Sequence, residues 1–247
     1  TADMVHQTIG KGIGLAVFAS DALSSMAYST QEMMLILAVA GTSAFGYVMP
    51  LTISIVVLLI ILTLSYEQTI HAYPTGGGAY IVARDNLGEY PAMTAAAALL
   101  TDYILTVAVS ISSGVAQFTS VFPELYPHRV TLAIAFVLLV MIVNLRGVKE
   151  SGMTFAIPTY IFLVMMVIMV AYGMVQFLSG SLGTVIDPPE LEAHLPFAAI
   201  STFLILKAFA SGTTALTGVE AISNGIMAFK EPRAKNAGQT LVIMSVI

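Results

Sequence analysis

Six apolar runs, each about as long as a helix must be to cross ~30 Å of hydrocarbon, follow one another along the chain with short polar connections between them. They lie near residues 13 to 40, 46 to 66, 91 to 121, 130 to 144, 153 to 178 and 197 to 228. A seventh begins at Ala237 and stops at Ile247, about half the length needed to cross, so the sequence is expected to end inside a helix and to be the N-terminal part of one membrane domain, lacking later spans. Strand-like alternation is absent, which predicts an all-α polytopic membrane protein rather than a barrel. Only 9% of residues are charged and 57% are hydrophobic, against roughly a quarter charged in a soluble domain. Cysteine is absent, which excludes a disulfide framework and a thiolate metal site. No basic surface suited to nucleic acid is present. The first run holds Asp21 and no small-residue cleavage signature follows it, which argues against a removable signal peptide.

Orientation follows from the Lys and Arg positions, because short cytoplasmic loops carry an excess of them. If the six spans alternate, Lys11, Arg84, Arg146, Lys149, Lys230, Arg233 and Lys235 share one side and only Arg129 falls on the other. The stretch 181–196 is acidic, has no Lys or Arg, and is read as an extracellular loop. The N-terminus is therefore expected in the cytoplasm. The connection between spans two and three carries Gly76, Gly77 and Gly78, which permit backbone conformations closed to other residues and precede a short helix. A phosphate-binding loop would need a Lys-Ser/Thr ending and a preceding strand, and both are missing.

An ionisable side chain at mid-bilayer costs at least ~2.5 kcal/mol on insertion scales, so each one is a functional candidate. Asp21, Glu32, Asp102, Lys207 and Glu220 qualify. Asp21 sits among Ser20, Ser24 and Ser25, where serine and aspartate compete for backbone hydrogen bonds, and a break in span one is expected there. Span six repeats the signal: Gly212, Thr213, Thr214, Thr217 and Gly218 interrupt its apolar run and Glu220 follows. Interrupted spans one and six are what two inverted five-helix repeats predict. In span three, Asp102, Thr106 and Ser110 recur every four residues and form one polar stripe with Tyr103 nearby. Such oxygen ligands, without thiolate or imidazole, suit a hard cation. Glu32 and Lys207, in the outward halves of spans one and six, are read as an ion pair with a structural or gating role.

Together, Ser20-Asp21-Ala22-Leu23-Ser24-Ser25, Tyr73-Pro74 with Gly76-Gly77-Gly78-Ala79-Tyr80, Asp102-Tyr103 through Ser110, Asn144-Leu145-Arg146-Gly147 and Leu216-Thr217-Gly218-Val219-Glu220 to Asn224 resemble the amino acid, polyamine and organocation transporter superfamily, and more closely its KimA-type potassium importers. The resemblance implies a LeuT-like inverted-repeat fold of the bacterial cell membrane that imports potassium with protons. It implies that Asp21, Tyr28, Asp102, Tyr103, Thr106, Ser110, Thr217 and Glu220 surround the ion path. It also implies a cytoplasmic C-terminal domain that mediates dimerisation, and inhibition by a cyclic dinucleotide. No cofactor is expected; potassium is the substrate and the proton the coupling ion.

The chemistry of span one agrees. Amino-acid carriers of this superfamily usually place a Gly-Ser/Ala-Gly sequence at that point, where bare N–H groups grip a carboxylate. Asp21 amid serines repels an anion and attracts a cation. Asp21, Asp102 and Glu220 are the candidates for carrying the coupled proton. The alternative within the fold is a proton-coupled amino-acid or polyamine permease. An intramembrane aspartyl protease would use Asp21 and Asp102, but it needs a Gly-x-Gly-Asp sequence that is missing, so no enzyme activity is expected.

Overall fold

Inside hydrocarbon every backbone N–H and C=O needs a partner, and a helix supplies them all within one segment. The apolar runs accordingly fold as helices. The structure, a computed structural model, describes residues 8–145, 147–183 and 200–247. Helix α1 is Lys11–Ala38, α2 Val48–Ala72, α3 Gly78–Leu87, α4 Glu89–Val121, α5 Arg129–Asn144 and α6 Val148–Leu178. The sixth run gives α7, Thr202–Gly212, and the single-turn α8, Ala221–Asn224; α9, Arg233–Val246, closes the described chain. Short 3-10 turns precede α2 and α5, at Thr42–Tyr47 and Pro123–His128. Among the described residues four stretches are long and apolar enough to cross a membrane: Ser43–Ala72, Glu89–Val121, Pro123–Asn144 and Ser151–Leu178. The protein is a multi-pass membrane protein. Most of the loop at 181–196, and Arg146, lie outside the described residues.

Helix α1 is the centre of the arrangement and packs against α4, α6, α7 and α9. Its buried positions, among them Ala16, Ala19, Ala22, Ser25, Ser29, Met33 and Leu37, recur every three or four residues, so small residues and hydroxyls face the neighbouring helices. Outward faces of the other spans are left apolar and exposed, as at Ile60 of α2, Ile134 of α5 and Val164 of α6. These are surfaces for lipid rather than for water.

Two apolar clusters grip α1 at its ends. The first joins Ala19 and Ala22 to Ile70 of α2, Ile222 of α8, Ile226 and Phe229 just after it, and Leu241 of α9. Phe229 is fully buried there, stacked on Phe18 with ring centroids 5.3 Å apart. Ile9 pairs beside it as a lone parallel bridge, its N–H donating to the Ala228 carbonyl at 2.8 Å. The second cluster joins Met33 and Leu37 of α1 to Leu51 of α2 and Ala208 of α7. The polar stretch of α1 from Ser24 to Ser29 lies between them.

One expectation about the spans is corrected. Helix α1 runs unbroken from Lys11 to Ala38, so span one is not interrupted at Asp21. Its serines turn back on the helix instead: Ser20 donates to the Val17 carbonyl at 2.8 Å, Ser24 to that of Asp21 at 2.8 Å, and Ser29 to that of Met26 at 3.2 Å. Hydroxyls satisfied in this way place polar residues within a helix without ending it. Span six is interrupted as expected. The α-helix stops at Gly212, a 3-10 turn covers Thr213–Leu216, Thr217 is extended, and Gly218 has φ +85° before the chain turns into α8.

Candidate functional site

At the interruption in span six, threonine hydroxyls add to the backbone hydrogen bonds of the helix end. Carbonyls at a helix end lack N–H partners; here Thr213 donates to the Ala210 carbonyl at 2.7 Å, Thr214 to that of Ser211 at 2.7 Å, and Thr217 lies 2.8 Å from that of Thr214. Gly218 then takes a left-handed conformation that side-chain-bearing residues avoid. Its missing side chain also lets the chain pass against α1. A Cβ at Gly218 would sit 2.9 Å from the Ala22 nitrogen and 3.0 Å from both Cβ and Cγ of Asp21. The break is thus pressed onto Asp21.

Hydroxyls tie the three walls together. Thr217 Oγ1 lies 2.7 Å from Ser25 Oγ, which lies 3.1 Å from the Tyr28 hydroxyl, and Ser24 Oγ is 3.4 Å from Ser110 Oγ of α4. A cleft of about 400 Å³ is lined by Asp102, Thr217 and Glu220, with Tyr66 of α2 at its wall. A second, of about 320 Å³, is lined by Ser24, Tyr28 and Ser110. Asp21, Asp102 and Glu220 lie within electrostatic reach of one another. Glu220 is only 7% exposed, and its Oε1 is buried with no hydrogen-bond partner among the described residues.

The expected residues therefore do not all meet at one point. Asp102, Thr217 and Glu220 share a cleft, Tyr28 and Ser110 line another, and the Ser25–Thr217 pair bridges the two. Asp21 abuts the break through Gly218, Tyr103 is held from below it, and Thr106 is half-buried on α4 and lines neither cleft. Among the described residues no three carboxylate or imidazole side chains converge closely enough to hold a metal ion. Glu32 and Lys207 form no ion pair, which corrects that expectation: both are exposed, and α1 and α7 meet through Met33, Leu37 and Ala208 instead.

Two residues outside the expected set belong to this neighbourhood. Asn224, the last residue of α8, donates to the Tyr103 hydroxyl at 2.7 Å. The triple-glycine turn wraps the same residue. A Cβ at Gly76 would lie 2.9 Å from the Asn224 carbonyl oxygen, and one at Gly78 would run into its side-chain oxygen. The glycines are thus a seat for the end of span six, and the signal in sequence was their number, with nothing to name the partner. Tyr66 carried no signal, being one aromatic residue near the end of an apolar span.

The sequence model of the amino acid permease family matches residues 10–247. The chain belongs to this family. The chain is 49% identical over 244 residues to the potassium transporter KimA of Bacillus subtilis (strain 168), an alignment covering 98% of this chain and 40% of that protein. It is also 22% identical over 219 residues to cationic amino acid transporter 6, chloroplastic, of Arabidopsis thaliana, covering 81% of this chain and 34% of the relative. Cationic amino acid transporter 7, chloroplastic, of the same plant is 23% identical over 248 residues, covering 93% and 39% respectively. The chain thus spans well under half the length of each of these relatives.

Proposed function

We propose that this permease chain is the N-terminal part of a secondary active transporter that imports potassium by proton symport, with its N-terminus in the cytoplasm of a bacterial cell. The observation that carries the reading is the break of span six, pressed through Gly218 onto Asp21 and opening into a cleft with Asp102 and Glu220. Carboxylates and hydroxyls around interrupted backbone attract a cation and replace its water, and selectivity comes from the number and field of those oxygens. The similarity to the potassium transporter KimA supports the same ion. In this reading Asp21, Tyr28, Asp102, Tyr103, Thr106, Ser110, Thr217 and Glu220 surround the path, and one of the three carboxylates takes the coupled proton. Rocking of the helices that carry the site against the remaining spans gives alternating access. A dimer formed through a further cytoplasmic domain, and a cyclic dinucleotide as inhibitor, complete the proposal.

The second reading is a proton-coupled carrier of amino acids or polyamines, favoured by the family match and by the two cationic amino acid transporters of Arabidopsis thaliana. A polyamine would also be drawn to a carboxylate-lined path. Growth of a potassium-uptake-deficient bacterium on limiting potassium separates the two. The complete protein is expected to rescue growth, and an equally expressed Asp102→Asn variant is expected not to. Failure of the wild type to rescue, with accumulation of an amino acid or polyamine by the purified protein, would leave the family and remove the potassium reading.

A further inference from the structure

Five side chains in the wall of the Asp102 cleft can form hydrogen bonds: Tyr66, Asp102, Thr213, Thr217 and Glu220. The hydroxyls of Thr213 and Thr217 are committed, the first to the Ala210 carbonyl and the second between the Thr214 carbonyl and Ser25. The Tyr66 hydroxyl has no hydrogen-bond partner among the described residues. It lies within electrostatic reach of Glu220 and, less strongly, Asp102. Its ring is half-buried and packs against the cluster that holds Ile70, Ile222 and Leu241, so the residue is fixed from behind while its polar end stays free. Glu220 Oε1 is buried and has no donor among the described residues.

A buried acceptor without a donor is costly, and a phenol without a partner in the wall of the same cleft is a group able to serve it. A phenol oxygen can also give a lone pair to a cation while its hydrogen points to a carboxylate. From this juxtaposition we infer that Tyr66 is a further residue of the ion path, its hydroxyl supplying a neutral oxygen to the cation between Asp102 and Glu220 and setting the preference among monovalent ions. The inference rests on the potassium reading. A neutral ligand adds to the oxygen count without adding charge, and a larger set of weaker ligands favours the larger ion over one that holds its water tightly.

The test uses the complete protein in liposomes, with potassium uptake measured for wild type and Tyr66→Phe and with sodium and rubidium as competitors. Phenylalanine keeps the ring and its packing and removes only the oxygen. The expected result is a KM for potassium raised about fivefold to tenfold, a maximal rate within about twofold of wild type, and a changed ranking of sodium and rubidium as competitors. An unchanged KM and ranking would overturn the inference alone, and so would a lower maximal rate with both unchanged, which marks a structural role. Absence of potassium uptake by the wild type would overturn the potassium reading and the inference with it. Stabilisation of the detergent-solubilised proteins by potassium against heat gives a second readout that does not need turnover, and it is expected to shrink in Tyr66→Phe.

Discussion

Gly218→Ala is the substitution that bears most directly on how the site is assembled. The residue has φ +85°, and an L side chain in the left-handed region costs roughly 1–2 kcal/mol. The added methyl would also lie 2.9 Å from the Ala22 nitrogen and 3.0 Å from Asp21 Cβ. Neither is the far end of a flexible chain, so α1 or the break must shift, and forced overpacking of this kind costs roughly 1–3 kcal/mol. Together the two effects amount to about 2–5 kcal/mol. Should only ~1.4 kcal/mol of that be expressed at the ion site, potassium affinity would fall about tenfold. Gly180→Ala is the matched control, because its φ is +67° and nothing lies within 4 Å of an added Cβ. It carries the backbone cost alone. The assays are thermal unfolding in detergent and concentration-dependent potassium uptake by the complete protein. Gly218→Ala is expected to lower both stability and apparent affinity, and Gly180→Ala to lower stability modestly and leave affinity alone. Equal behaviour of the two variants would refute the claim that contact with Asp21, and not conformational strain, makes glycine necessary at 218.

Other predictions follow from the contacts around that contact. Asn224→Ala removes the 2.7 Å bond to Tyr103 and unseats the glycine turn; a stability loss of ~0.5–1.5 kcal/mol and a raised KM for potassium are expected from melting and uptake curves. Phe229→Ala empties a fully buried position stacked on Phe18 and should destabilise by ~3–5 kcal/mol, read as a much lower melting midpoint. Because Glu32 and Lys207 are exposed and unpaired with each other, Glu32→Gln and Lys207→Gln are expected to change stability by no more than about 0.5 kcal/mol each and to show no coupling in a double-mutant cycle.

Periodicity and length placed the helices, because hydrocarbon leaves a chain little choice beyond helix and fixes how long it must be. The interruption of span six was legible for a related reason: Gly212, Gly218 and the threonines around them are residues that either permit unusual backbone or replace its hydrogen bonds. Span one shows the limit of the same logic. Serines at positions 20, 24 and 29 have two uses, ending a helix or bonding back to its own carbonyls, and the choice depends on neighbours that a linear sequence does not display. The Glu32–Lys207 pairing failed because it assumed that charges on neighbouring helices seek each other, whereas the helices meet through Met33, Leu37 and Ala208 and leave the charges outside. Asn224 and Tyr66 escaped because what places them lies more than a hundred positions away: Asn224 bonds to Tyr103, and Tyr66 shares a cleft with Glu220.

The central claim is that potassium moves with protons through the cleft shared by Asp102, Thr217 and Glu220. Potassium uptake into liposomes containing the complete protein, under an imposed inward proton gradient, tests it most directly. The prediction is accumulation above the external concentration, lost when the gradient is collapsed and lost again in a correctly folded Asp102→Asn variant. Potassium uptake that ignores the gradient and survives Asp102→Asn, or accumulation of an amino acid or polyamine in place of potassium, would contradict it.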